Sequence, residues 1–161
     1  MRKKNRVTDW FRLESHAIAM GVGAKPVQIL LIEDSAGDAL LTGQIVAESP
    51  IPIKLVIARD GVQALSMLVE PGFDPALIIL DLNIPMISGH AILERNPRKD
   101  IPVVVFSVSD DPGDIQRALA LGAREYVQKP MNLQAYKLAV LALIEKWVQP
   151  EENGAEGATA S

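Results

Sequence analysis

The chain has 161 residues, 48% of them apolar, enough for one domain with a full core and too few for two. It contains no cysteine, which excludes a disulfide framework and a thiolate metal site and fits a reducing, cytoplasmic setting. The net charge of −4 sits on an acidic body, which argues against nucleic acid as a main partner, because phosphate backbones need a basic face.

Residues 1–26 carry six Lys/Arg against two Asp/Glu and read as a flexible N-terminal extension. Arg2, Lys3 and Lys4 with Trp10, Phe11 and Leu13 also suit a short segment lying on a membrane surface or a partner. Arg2–Arg6 lacks the apolar run that would make it a signal peptide. Met20, just before the folded region, could serve as an alternative start. No apolar run nears the roughly 20 residues of a bilayer span, so no stable membrane insertion is expected.

Residues 27–148 alternate strands and helices. Val27–Ile32 is apolar apart from Gln28, as in a strand buried on both faces of a parallel sheet. Residues 37–48 read as a helix, Ile53–Ala58 as a β-branched strand, and Asp60–Val69 as a second helix. Pro71, Gly72 and Pro75 punctuate the chain before the very apolar strand Ala76–Leu80. A loop spans Asp81–Ser88, and the short helix after it must stop near Asn96, ahead of Pro97. Val103–Phe106 is the fourth strand. Asp111 and Pro112 read as an N-cap and first helical residue, and Gly122 as a left-handed end to that helix. Glu125–Gln128 is a fifth strand and Asn132–Val148 a last helix. In that helix Leu133, Tyr136, Val140, Leu143 and Trp147 form a core stripe, while Leu138, Leu141 and Val148 form a second apolar side. The remainder, 149–161, reads as a disordered acidic tail. Five such pairs predict a doubly wound α/β domain with a five-stranded parallel sheet and right-handed crossovers.

In open parallel sheets the site lies beyond the carboxyl ends of the strands. Glu33 and Asp34 follow the first strand, Asp81 the third, Ser107 the fourth, and Lys129 and Pro130 the fifth. Singly, each residue has an ordinary reading: Asp34 as a helix cap, Ser107 as a turn hydroxyl, Lys129 as a solvated charge. Jointly they put three acids, a hydroxyl and a lysine on one edge. Three close carboxylates stay ionised together only beside a cation. Oxygen-only ligands point to a hard ion such as Mg²⁺. With a lysine to meet developing charge, these parts suit phosphoryl transfer onto a carboxylate.

Four segments, Ile29–Ser35, Leu80–Gly89, Val103–Ser107 and Gly122–Pro130, closely resemble the receiver domains of two-component response regulators. The Glu33-Asp34-Ser35 opening and the Asp81-Leu-Asn-Ile-Pro85 loop are most similar to the single-domain regulators that partner bacterial phytochrome histidine kinases. The resemblance implies a flavodoxin-like strand order, 2-1-3-4-5. It implies a stand-alone regulator that takes a phosphoryl group from a sensor histidine kinase on Asp81. Such a protein catalyses only its own phosphorylation and dephosphorylation, and acts through protein contact or phosphorelay.

By the same resemblance Asp34, Asp81 and the Asn83 carbonyl hold Mg²⁺, with Glu33 acting through a water. Lys129 and Ser107 meet the phosphoryl group. Pro130 follows a cis bond that aims Lys129, and Ser107 and Tyr126 form the switch. Ile84 stands where many receivers have methionine, and Gly89–Asp100 looks about one helical turn shorter than in the phytochrome-associated relatives, roughly 5 Å. The second apolar side of the last helix has two readings: a homodimer through the fourth and fifth helices, or packing on the fourth helix of the same chain with the rest as scattered exposed apolars. The main alternative, a Mg²⁺-dependent hydrolase or phosphotransferase, needs a second acid two residues after the nucleophile, where this chain has Asn83. No Gly-rich phosphate loop follows the first strand, which argues against nucleotide binding.

Overall fold

The structure, a computed structural model, describes residues 25–149. The N-terminal extension, apart from its last two residues, and the acidic tail beyond residue 149 lie outside the described residues. Within them the alternation is as the sequence predicts: β1 (Val27–Ile32), α1 (Ala36–Val46), β2 (Ile53–Ala58), α2 (Gly61–Leu68), β3 (Leu77–Leu80), α3 (Gly89–Arg95), β4 (Val103–Ser107), α4 (Pro112–Ala120), β5 (Glu125–Gln128) and α5 (Leu133–Trp147). The strands form one parallel sheet in the order β2-β1-β3-β4-β5.

The period of two along each strand builds two cores. Leu30, Ile32, Ile78, Leu80, Val103 and Val105 face α2, α3 and α4, while Ile29, Leu31, Leu77, Ile79, Val104 and Phe106 face α1 and α5. β1 and β3 sit mid-sheet, so both faces are covered and their runs are apolar throughout. Each buried Leu, Ile or Val contributes about 1.5–3 kcal/mol relative to exposure. On the α1/α5 face a buried hydrogen bond joins Thr42 Oγ1 and the Tyr136 hydroxyl at 2.9 Å, and the Tyr136 ring meets Phe106 edge-on.

All five helices start with a side-chain cap, Ser35, Asp60, Ser88, Asp111 and Asn132, each accepting from an N–H of the first turn. Such caps are worth about 1 kcal/mol apiece. They also fix where each strand-to-helix loop ends, and those loops line the carboxyl edge of the sheet.

Three expectations need correction. Leu133 is 65% exposed, and Ile144 takes a place in the core stripe. Leu133 is the first residue of α5, ahead of the turns whose side chains reach the core. Val148 is only 1% exposed: the helix has ended, and an extended backbone at this C-cap replaces the helical phase that put it on the outer side. The Lys129–Pro130 bond is not cis, since every peptide bond among the described residues is trans. The cis form before proline costs only about 0.5–1 kcal/mol, so surroundings decide the isomer, and Lys129 reaches its partners from the trans form.

Candidate functional site

The site is built by strand ends. Glu33 N–H donates to the Ala58 carbonyl at 2.9 Å, Asp81 N–H to the Ile32 carbonyl at 3.0 Å, and Lys129 N–H to the Ser107 carbonyl at 2.7 Å. Each residue therefore continues its strand's ladder by one step and emerges at the same edge.

Glu33, Asp34 and Asp81 each present a carboxylate oxygen within 4.8 Å of the others. Glu33 and Asp81 are buried, whereas Asp34 is exposed. The Lys129 Nζ lies among them. It donates to Glu33 at 3.1 and 3.2 Å, to Asp81 Oδ2 at 3.0 Å and to Asp38 Oδ2 at 2.9 Å. The same ammonium stands 5.9 Å from the centroid of the Phe106 ring, a weak cation–π contact. Lys129 is thus no solvated surface charge: it is 6% exposed.

Burial and the neighbouring Asp81 push the Glu33 carboxyl up to about 8, against the pull of Lys129. Burial alone would lower the Lys129 ammonium, but its hydrogen bond to Asp38 and the charges of Asp81 and Glu33 outweigh it and hold the lysine protonated, above its ordinary range. The acids are short of positive charge even with the lysine among them, which is the electrostatic condition a divalent cation relieves. An all-oxygen donor set fits a hard ion.

The loop after Asp81 is held on both sides. Asn83 N–H donates to Asp81 Oδ1 at 3.0 Å, while the Asn83 side chain is exposed. Gly89 N–H donates to the Leu82 carbonyl at 3.1 Å. A Cβ at Gly89 would stand 2.6 Å from Leu82 Cα and 2.9 Å from the Asp81 carbonyl oxygen, so only glycine lets α3 begin this close. Met86, at the tip, has φ of +74°, a left-handed turn conformation.

Ser107 is fully buried, and its hydroxyl accepts a long bond, 3.5 Å, from Ser109 N–H. Tyr126 is half-buried against the α2–α4 core and donates its hydroxyl to the Ser109 carbonyl at 2.8 Å. Burial pushes the Tyr126 phenol above its ordinary range. The structure therefore brings Glu33, Asp34, Asp81 and Lys129 into one cluster, with Asn83 attached to it through its N–H. Ser107 and Tyr126 stand beside it in a second, hydrogen-bonded group. Pro130 only follows the lysine.

Asp38 was not legible as a site residue. It stands in the first turn of α1, after the cap Ser35, whose Oγ accepts from Asp38 N–H. An acid three residues after the cap, in the first turn of a helix that starts at the carboxyl edge of the sheet, was the available signal.

Comparison with known proteins identifies the family. The family model described as response regulator receiver domain matches residues 29–141. Response regulator Rcp1 of Synechocystis is 35% identical over 133 residues, covering 77% of this chain and 90% of that protein. The crystal structure of the phosphorylated cyanobacterial phytochrome response regulator RcpA superposes with a TM-score of 0.73 at 33% identity, covering 78% of this chain and 96% of that one. The Mn²⁺-bound form of Rcp1 gives a TM-score of 0.71 at 34% identity, covering 77% and 96%.

Proposed function

The chain belongs to the response regulator receiver family, and from that premise we propose that Asp81 accepts a phosphoryl group from the phosphohistidine of a sensor histidine kinase. The observation that carries this is the buried Asp81 carboxylate, held between Lys129 Nζ on one oxygen and Asn83 N–H on the other. An Asp81 oxygen attacks phosphorus, the N–P bond breaks, and the kinase imidazole leaves with the electron pair. Lys129 meets the charge on the transferred group, and Ser107 donates its hydroxyl to a phosphoryl oxygen. Hydrolysis by water later returns Asp81 to the carboxylate.

The cation is Mg²⁺ in this reading. Asp34, Asp81 and the Asn83 carbonyl would hold it directly and Glu33 through a water. When bound, it supplies positive charge to the acids and to the phosphoryl oxygens. The Mn²⁺ in the relative's structure supports a divalent ion at this edge.

The signal leaves through Ser107 and Tyr126. Phosphorylation draws Ser107 toward Asp81 and stabilises the tyrosine against the core, a population shift between two packings. The reading of the last helix as a partner face rests on Leu138, 57% exposed on α5, and Leu119, 46% exposed on α4. They support a homodimer through these two helices.

A phytochrome kinase is the favoured donor because RcpA is described as a phytochrome response regulator. The test is a time course of phosphotransfer from a phosphorylated bacterial phytochrome kinase and from an unrelated histidine kinase. Transfer at least about tenfold faster from the phytochrome is expected. Equal rates would remove the phytochrome assignment while leaving Asp81 as acceptor.

A further inference from the structure

Ser109 is the meeting point of the loop between β4 and α4. Its carbonyl accepts the Tyr126 hydroxyl at 2.8 Å. Its own hydroxyl donates to Asp114 Oδ2 at 2.7 Å and accepts from Asp111 N–H at 3.3 Å. Asp114 lies in the first turn of α4, where its N–H is capped by Asp111 at 3.2 Å. Its carbonyl lies 3.2 Å from Nε2 of the buried His90 on α3. One aspartate therefore ties three pieces together: α3, the start of α4, and the residue whose carbonyl holds Tyr126.

We propose that Asp114 is a positioning residue that sets the resting bias of Tyr126, acting through the Ser109 hydroxyl; this rests on the reading of Tyr126 as the switch. A loop carbonyl can accept a hydroxyl only while the loop stays in place. The Ser109 hydroxyl has one donor, and it is spent on Asp114. That bond is charge-assisted and short, the stronger kind. Asp114 is itself held by the helix cap and by α3, so the carbonyl facing Tyr126 is fixed before any phosphoryl group arrives.

The consequence follows from linkage. Whatever favours the core-packed tyrosine in the free protein also favours a ligand that prefers that packing, by the same factor. Removing the Asp114 carboxylate should release the Ser109 carbonyl, move Tyr126 off the core and weaken a phosphoryl mimic by about fivefold, the lower end of ordinary couplings.

The experiment uses the full chain with ¹³C-labelled tyrosine rings. There are two tyrosines, so Tyr136 serves as an internal control and Tyr126→Phe assigns the other signal. Asp114→Ala and Ser109→Ala should both shift the Tyr126 signal and leave Tyr136 in place. Asp114→Asn, which keeps an acceptor oxygen for Ser109, should stay near wild type. Titration with beryllium fluoride and Mg²⁺ should give half-saturation about fivefold higher in the two alanine variants. A Tyr126 signal unmoved in both would overturn the inference. So would equal movement of both tyrosines, which marks general loosening. A wild-type Tyr126 signal indifferent to beryllium fluoride would instead overturn the switch reading, and is seen separately from the variants.

Discussion

The Lys129 ammonium lies closest to Asp38, at 2.9 Å, with Asp81 and Glu33 completing its partners at 3.0 and 3.1 Å. The lysine at the end of β5 is thus shared between Asp81, Glu33 and the first turn of α1. Among the described residues it is the one cation paired with these acids.

Removing that charge should expose the repulsion it masks. Lys129→Met is expected to lower stability in EDTA by about 3 kcal/mol, the low end for breaking a buried ion pair, because Glu33 can take up a proton and neutralise itself. Urea unfolding with and without Mg²⁺ measures this, and Mg²⁺ should restore more stability to the variant than to wild type. Equal Mg²⁺ responses would argue that the lysine and the cation do not share the same acids.

Glu33 gives a pH dependence of defined sign. Its folded carboxyl is raised from 4.5 to about 8. Below 4.5 both folded and unfolded chains hold the proton. As pH rises through the window to about 8, the unfolded chain loses it first, so metal-free stability falls. Melting curves in EDTA from pH 5 to 8 should show that slope, and Glu33→Gln should flatten it.

Gly89→Ala places a methyl group against Leu82 Cα and the Asp81 carbonyl. The backbone on both sides must shift, which should cost about 1–3 kcal/mol as overpacking does. The acceptor loop carries that shift, so phosphorylation of the folded variant should also slow. A variant of wild-type stability would show the loop to be freer than its contacts indicate.

Much of this was legible in advance, and the rest has a physical reason. The strands could be read because burial on both faces makes continuous apolar runs, as in Leu77–Leu80. The helix starts could be read at Asp111-Pro112, where cap and first residue are adjacent. Glu33, Asp34, Asp81, Ser107 and Lys129 could be placed because topology alone brings strand ends to one edge. Asp38 could not, because its link to Lys129 spans 91 residues of sequence and depends on where α1 begins. Asp114 was hidden similarly, as an ordinary acid in a helix's first turn. Val148 was misplaced because helical phase stops at the C-cap, and Leu133 because it stands in the first turn of α5, where it stays 65% exposed.

The α4–α5 face predicts association. Leu138→Glu puts a charge on the exposed apolar side of α5 and should abolish any dimer without unfolding the chain, since the position is 57% exposed. Sedimentation at high micromolar concentration should show wild-type dimers, strengthened by a phosphoryl mimic, and a monomeric variant. A wild type that stays monomeric with and without the mimic would contradict the dimer.

Phosphorylation of Asp81 is tested most directly by intact mass after incubation with acetyl phosphate and Mg²⁺. Wild type should gain one phosphoryl group, lost again on removal of the donor, while Asp81→Asn gains none. Equal labelling of both proteins would rule out Asp81 as the acceptor.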